Sequence, residues 1–432
     1  MEDYVVIIGG GLAGCEAAYQ IAKRGKKVRL FEMKPNNFSP AHSNRNLAEI
    51  VCSNSFKSNS VLNACGLLKQ ELRLLDSLLI KIADETKIPA GQALAVDRQV
   101  FSERVTKVLS QMSNIEIIRE EINKIPDDCK VIIATGPLTT DNLSNEIQKL
   151  SGMNYLHFYD AASPIITKES IDMNIAFWGS RYDKGDKDYI NLAMNQQEYE
   201  NFYNNLVNAQ VVTLHEFEPR DIFEGCMPIE LMATRGKDTL RYGPLKPVGF
   251  INPRTNIRPY AIVQLRQDDV MGELFNLVGF QTNLKYGEQK RVFSLIPGLK
   301  DAEFIKYGVM HRNTYINSPK LLDQTYNLKS NNNIYFAGQI SGVEGYVESI
   351  SSGLIAGINA CIDNKKIVFP ETTVIGALAR YISTSNKNFM PMNANFGILS
   401  ELEQQIKDKK TKYEYLSNRS LDIICKIKNN ML

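Results

Sequence analysis

A chain of 432 residues is long for one compact core, so two domains are the expectation. Its 44% hydrophobic and 23% charged content describes an ordinary globular protein, and no apolar run reaches the length needed to cross a bilayer. A net charge of +2 is too small to mark a nucleic-acid binder by itself. Seven cysteines without a CxxC pair and four scattered histidines argue against a zinc site. The first residues run straight into an apolar strand without a basic leader and cleavage site, so a cytoplasmic location is expected.

Tyr4–Ile8 reads as a buried parallel strand. Gly9, Gly10, Gly11, Leu12, Ala13 and Gly14 follow it and open a helix over residues 16–24, stopped by Gly25. The next strand, 28–31, ends at Glu32. This is a βαβ unit with GxGxxG at its turn. The first glycine allows the tight turn, the second lets backbone approach a pyrophosphate, and the third permits helix–strand contact. The helix N-terminus faces the anion, and Glu32 is placed to bind a ribose. A long helix is expected over 61–83, from apolar residues at Leu67, Leu68, Leu72, Leu75, Leu79 and Ile82. Another, over 100–112, starts after Asp97. Asp97-Arg98 reads as a helix start with an ion pair in preference to a part of a cofactor pocket.

Residues 130–134 form a further strand ending in Thr135-Gly136-Pro137. From 166 to 304 the texture changes to short alternating strands, such as 274–280, with a helix over 197–208. Near the other end, the strand 334–337 enters Gly338-Gln339-Ile340-Ser341-Gly342, followed by a helix over 347–361. A strand, glycine turn and helix so far from the N-terminus suggest a sheet completed by returning chain. A cofactor domain split around an insertion is typical of large flavoproteins, which favours FAD over a nicotinamide cofactor.

Arg235 to Arg266 holds seven basic residues and one acid, Asp238, interleaved with Tyr242, Phe250 and Tyr260. The excess of one sign beside rings that stack favours an anionic ligand over a solvated face. The lysine-rich C-terminal tail reads as a solubility feature.

Several spaced motifs then fall into one order. They are Gly9–Gly14, Val51-Cys52-Ser53-Asn54-Ser55, Ala93–Arg98, Ala134–Thr139, Glu224-Gly225-Cys226-Met227-Pro228 and His311-Arg312-Asn313-Thr314. Ala337-Gly338-Gln339, Gly342–Ser349 and Pro391–Gly397 continue the series. End to end the chain resembles the folate- and FAD-dependent RNA (uracil-5-)-methyltransferases, the TrmFO family. The resemblance implies an α/β fold: a Rossmann-like split FAD-binding domain of the GR2, glucose-inhibited-division type, over 1–165 and 305–432. An inserted α+β domain over 166–304 would carry Cys226 and the basic surface.

It also implies a carbon from 5,10-methylenetetrahydrofolate, carried as a methylene on flavin N5, and electrons from FAD reduced by NADPH or NADH. The product is 5-methyluridine, with the T-loop uridine of tRNA as the leading RNA partner and 23S rRNA as the alternative. Neither a membrane nor an obligate protein partner is expected. A rival flavoprotein that modifies the wobble uridine carries a longer C-terminal region, and a disulfide-reductase type needs a vicinal cysteine pair.

Uracil C5 is a poor nucleophile until something adds at C6, and a thiolate suits that soft acceptor. Cys226 is assigned as this nucleophile, and Cys52 as a second functional thiol that accepts the C5 proton or replaces Cys226. Thr135, Gly136, Gly338, Gln339 and Gly342 join Gly9–Gly14 and Glu32 as the cofactor-binding set. The His311-Arg312-Asn313-Thr314 stretch, which precedes the return to the FAD domain, lies near the isoalloxazine or folate, or its histidine is structural. Cys15, Cys65, Cys129, Cys361 and Cys425 read as packing residues.

Overall fold

A computed structural model describes residues 4–153, 155–183, 186–212, 227–386, 389–403 and 405–431. The strand Tyr4–Ile8 is at the centre of a six-stranded sheet. Lys27–Phe31 pairs on one side and Lys130–Ile133 on the other, both parallel, with Val5 opposite Val28 and Lys130. Ile115–Ile118 extends the first side, and Asn331–Phe336 extends the second, with Ile334 opposite Val131. The order therefore reverses at the first strand, the switch point where α/β sheets open a crevice beyond the strand ends.

The helix Leu12–Lys23 leaves that point and packs on Tyr346–Ala360, a helix from the far end of the chain. Glycines make this approach possible. A Cβ on Gly353 would lie 2.2 Å from the Ala13 carbonyl oxygen, and one on Gly357 would lie 2.8 Å from that of Ala17. The late segment thus completes the first layer, and a continuous apolar core runs from Val5 to Ile424.

A second six-stranded sheet, wholly antiparallel, runs in the order Phe177–Gly179, Tyr189–Met194, Ala261–Gln267, Leu274–Leu277, Ile165–Thr167, Phe304–Lys306. It has its own core around Phe202, Phe275, Phe280 and Phe293. The chain passes outward along Leu156–Ala161 and returns along Met310–Tyr315, and these two strands pair antiparallel.

Sequence expectation and structure differ at several places. The single helix over 61–83 is two, Ala64–Leu74 and Leu78–Glu85. Between them Asp76 takes φ +57° and the Ser77 hydroxyl caps the second helix at Ile80 N–H. The strand over 274–280 stops at Leu277, before Gly279 at φ +79°. The helix over 100–112 begins at Arg98, with Asp97 accepting the N–H groups of Gln99 and Val100. Cys425, expected to pack, is exposed on the C-terminal helix Lys409–Met431.

Asp97-Arg98 starts a helix and carries an ion pair, as expected. Arg98 makes a two-point ion pair with Asp268, Nε to Oδ2 at 2.9 Å and Nη2 to Oδ1 at 3.0 Å. The pair is largely buried and ties the first layer to the second sheet.

A buried carboxylate ties three helices of the first layer. Glu71 accepts the N–H groups of Val374 and Ile375, each at 2.8 Å, and the hydroxyl of Ser420. Burial pushes its carboxyl from 4.5 up to about 7, against the pull of those three donors. A folded-state value above the unfolded one means stability that is complete below pH 4.5 and lost as pH rises through about 7. The loss is on the order of 3 kcal/mol. Denaturant unfolding at the two ends of that window should show it, and Glu71→Gln should level the slope while lowering stability throughout. An equal slope in the variant would refute the assignment.

Candidate functional site

The Gly9–Gly14 turn lies where the sheet order reverses. Gly9 has φ +105°, and a Cβ on Gly14 would sit 1.9 Å from the Gly9 carbonyl oxygen. Gly11 caps the helix without any side-chain hydrogen bond, so the first N–H groups of Leu12–Lys23 stay open to an anion. Glu32 is nearly buried and held by two backbone donors: Gly10 N–H to Oε2 at 2.9 Å and Lys34 N–H to Oε1 at 3.0 Å. Its remaining lone pairs suit ribose hydroxyls.

A cavity of about 610 Å³ opens from this turn. Of the expected cofactor set, Gly9, Gly10, Gly11, Leu12, Ala13, Glu32, Thr135, Gly136, Gly338 and Gln339 line it. Gly14 and Gly342 do not. Gly14 serves the turn itself, and Gly342 closes a short turn at φ +83° against Phe389. The Thr135 hydroxyl lies 2.6 Å from that of Thr139, fixing the loop opposite the glycine turn. Gly338 donates its N–H to Ser352 Oγ at 2.7 Å, anchoring the late segment beside Ala13.

Cys52 lines the same cavity, half-buried. Its N–H donates to the Tyr346 hydroxyl at 3.0 Å, and its Sγ lies 3.9 Å from the Ala161 carbonyl oxygen. Three cations hold the flanking residues. Arg98 donates to Ile50 O at 3.0 Å, Lys306 to Val51 O at 3.0 Å, and Arg266 to Ser53 Oγ at 2.6 Å and Asn54 Oδ1 at 3.0 Å. Burial pushes Lys306 and Arg266 down, and their interaction with Cys52 works the other way. These cations are the charged neighbours of the Cys52 thiol.

Three other thiols are held protonated by burial. Burial pushes Cys65 and Cys129 up to about 11, and Cys15 higher still. Cys226 lies outside the described residues, as do the side chains of His311 and Arg312, whose backbone runs in the strand Met310–Tyr315. Met227 is described: it packs with Ala161 and Met310, and the same Ala161 meets Cys52.

The basic stretch is less available than its charge count implies. Lys237 pairs with Glu200, and Arg241 pairs with Asp238 and covers the Tyr260 ring. Arg254 donates to the carbonyls of Met173 and Ala176, and Arg266 is buried behind Cys52. Sequence reasoning missed Tyr346 and Arg266 as neighbours of Cys52, while Asn313, in a stretch expected near the isoalloxazine or folate, does line the cavity, though sequence reasoning did not single it out from its neighbours. All three lay in stretches already singled out, though no spacing distinguished them. Among the described residues no group of three or more His, Cys, Asp or Glu is placed to hold a metal, and no helix is long and apolar enough to cross a membrane.

A family model described as glucose inhibited division protein A matches residues 4–367. A curated relative from Acetivibrio thermocellus, named methylenetetrahydrofolate--tRNA-(uracil-5-)-methyltransferase TrmFO, is 59% identical over 428 residues, 98% of each chain. One of the same name from Fusobacterium nucleatum is 56% identical over 427 residues, again 98% of each. The chain belongs to the TrmFO family. Two crystal forms of Aquifex aeolicus GidA share the fold, each with TM-score 0.73 at 16% and 18% identity. They cover 99% and 100% of this chain but 73% and 76% of the longer GidA chain. That likeness speaks for the GidA-type architecture alone. The TrmFO relatives are matched over nearly their full length.

Proposed function

We propose that this chain methylates uridine C5 in tRNA, taking the carbon from 5,10-methylenetetrahydrofolate and using bound FAD, reduced by NADPH or NADH. The observation that carries the reading is a thiol, Cys52, lining the same cavity as a GxGxxG turn. FAD fits that cavity by its anion-facing helix end and by Glu32, whose carboxylate is already oriented. The TrmFO name of relatives at 54–59% identity supports the RNA and folate chemistry.

When bound, FAD and folate supply two electrons and a one-carbon unit. The chain's own part is to make C5 react and to dispose of its proton. A thiolate from Cys226 adds at uracil C6, and the electron pair of the C5–C6 double bond moves to C5 as an enolate. C5 forms the new carbon–carbon bond and loses its proton to Cys52, which passes it on to water. The hydride that replaces the one-carbon unit's bond to its carrier nitrogen and completes the methyl group would come from the bound reduced flavin. Expulsion of the Cys226 thiolate restores the double bond. Overall, the carbon leaves the folate, two electrons leave the reduced flavin, and both thiols return unchanged. The packing of Met227 on Ala161, which meets Cys52, supports bringing both cysteines to one uracil.

The test supplies the purified yellow protein with labelled methylenetetrahydrofolate, NADPH and uracil-5-unmodified tRNA or 23S rRNA fragments. Label in tRNA is the expected result. Label in rRNA alone keeps the chemistry and moves the substrate. No label in either, with a flavin that reduces normally, removes the methyltransferase reading.

A further inference from the structure

Asn313 is a buried residue in the wall of the cavity, and among the described residues neither its amide nitrogen nor its amide oxygen has a hydrogen-bond partner. Of the other buried amide groups, only the Asn317 oxygen lacks a partner among the described residues. Asn54 donates to the carbonyls of Val96 and Gln267 and accepts from Arg266, and Asn191 donates to Gly179 O and accepts from Gln264. Among the described buried side chains, Asn313 is the one amide with both ends unanswered. Leaving such a group without a partner is unfavourable, so the position calls for an explanation.

The strand holds Asn313 firmly. Thr314 N–H donates to Pro137 O at 3.0 Å and Ile316 N–H to Ile340 O at 2.9 Å, pinning both loops of the cradle to this strand. A side chain on so fixed a backbone has few ways to find a protein partner. A ligand in the cavity has one: it must present a donor beside an acceptor, matching the amide oxygen and nitrogen together. A cyclic amide or imide edge does so, with ring N–H next to C=O. The pyrimidine ring of flavin, the pterin of folate and uracil all carry that edge.

We propose that the Asn313 carboxamide reads the amide edge of the ring bound in this cavity by two parallel hydrogen bonds. The flavin pyrimidine is its first source, because the cradle loops and Asn313 share one strand. The proposal rests on the reading that FAD fills the cavity. It makes Asn313 a binding residue that carries an unpaired amide until the ligand arrives.

Holoprotein and flavin-stripped protein are compared for the wild type, Asn313→Leu and Asn313→Asp. Thermal melting is read for both forms. Dissociation constants for FAD, tetrahydrofolate and tRNA are read separately, together with the flavin midpoint potential.

Asn313→Leu removes the orphaned amide, so the stripped variant should melt higher than stripped wild type while binding FAD at least tenfold more weakly. Asn313→Asp cannot donate and brings a negative charge, so its flavin potential should fall. A tenfold change confined to tetrahydrofolate or to tRNA, with FAD binding intact, keeps the two-point reading and identifies pterin or uracil as the source. A purely structural amide would instead lower both melting temperatures and leave all three affinities unchanged, and that result overturns the proposal. Should Asn313→Leu fail to fold, the isosteric Asn313→Asp still reads affinity and potential. Wild-type protein that holds no flavin would be a failure of the functional reading, not of this one.

Discussion

Exchanging Cys226 for alanine should lower single-turnover label transfer to RNA by roughly 10⁴-fold or more, since a lost nucleophile leaves only binding and positioning. Cys52→Ala should lower it by about 10²–10⁴-fold, the usual worth of a positioned acid or base. The two variants should differ in what accumulates. With Cys226 intact, Cys52→Ala should trap RNA on the protein, giving a shifted band on a denaturing gel that Cys226→Ala lacks. The reverse pattern would exchange the two roles. Cys65→Ala is the control: its thiol, pushed up to about 11 by burial, is protonated at neutral pH, so transfer should continue. Both catalytic variants should stay yellow, because their side chains are not the ones that meet the flavin's phosphates.

Gly14→Ala should yield protein without flavin. The added Cβ would lie 1.9 Å from the Gly9 carbonyl oxygen and 3.1 Å from its carbon, and neither is a side chain that could rotate away. The turn or the helix must shift, and either movement displaces the N–H groups that face the pyrophosphate. Ordinary overpacking costs about 1–3 kcal/mol, and a contact with backbone belongs at or above the upper end. Gly11→Ala separates folding from binding. Its Cβ would meet nothing within 4 Å, so the protein should melt normally when stripped but bind FAD more weakly, its methyl group standing in the anion's approach. The flavin-to-protein absorbance ratio and melting with and without added FAD measure both variants. A yellow, normally melting Gly14→Ala would contradict the close approach.

The first βαβ unit was legible because three independent signals coincide there: an apolar run, glycine spacing and Glu32 at the end of the second strand. The break at Asp76 was hidden because the apolar pattern continues across it. Leu72, Leu75 and Leu79 are buried on both sides, and periodicity does not register a reversal that keeps the same face inward. Only the short Asp76-Ser77 pair marks the turn. On the C-terminal helix Leu416, Ser417, Ser420 and Ile424 make up the buried face, and Cys425 lies off it.

Arg266 was counted with an exposed basic stretch because charge counting along one dimension ignores strand pairing. The strand Ala261–Gln267 carries it to the Cys52 segment. Asn313 belongs to a different class. What marks it is an absence of partners, a property of the folded surroundings that no spacing encodes.

The contact of Gly353 and Gly357 with Ala13 and Ala17 has a consequence for how the protein is made. The nucleotide-facing turn is among the first parts to leave the ribosome, but the helix that braces it is among the last. At typical translation rates the interval is on the order of tens of seconds. During that time the early strands expose an apolar face with no partner, and the antiparallel sheet, whose strands all come from residues 165–306, is free to fold first. Flavin therefore joins a nearly finished chain, and a truncation before Gly353 should leave a colourless protein even with every residue of the glycine turn in place.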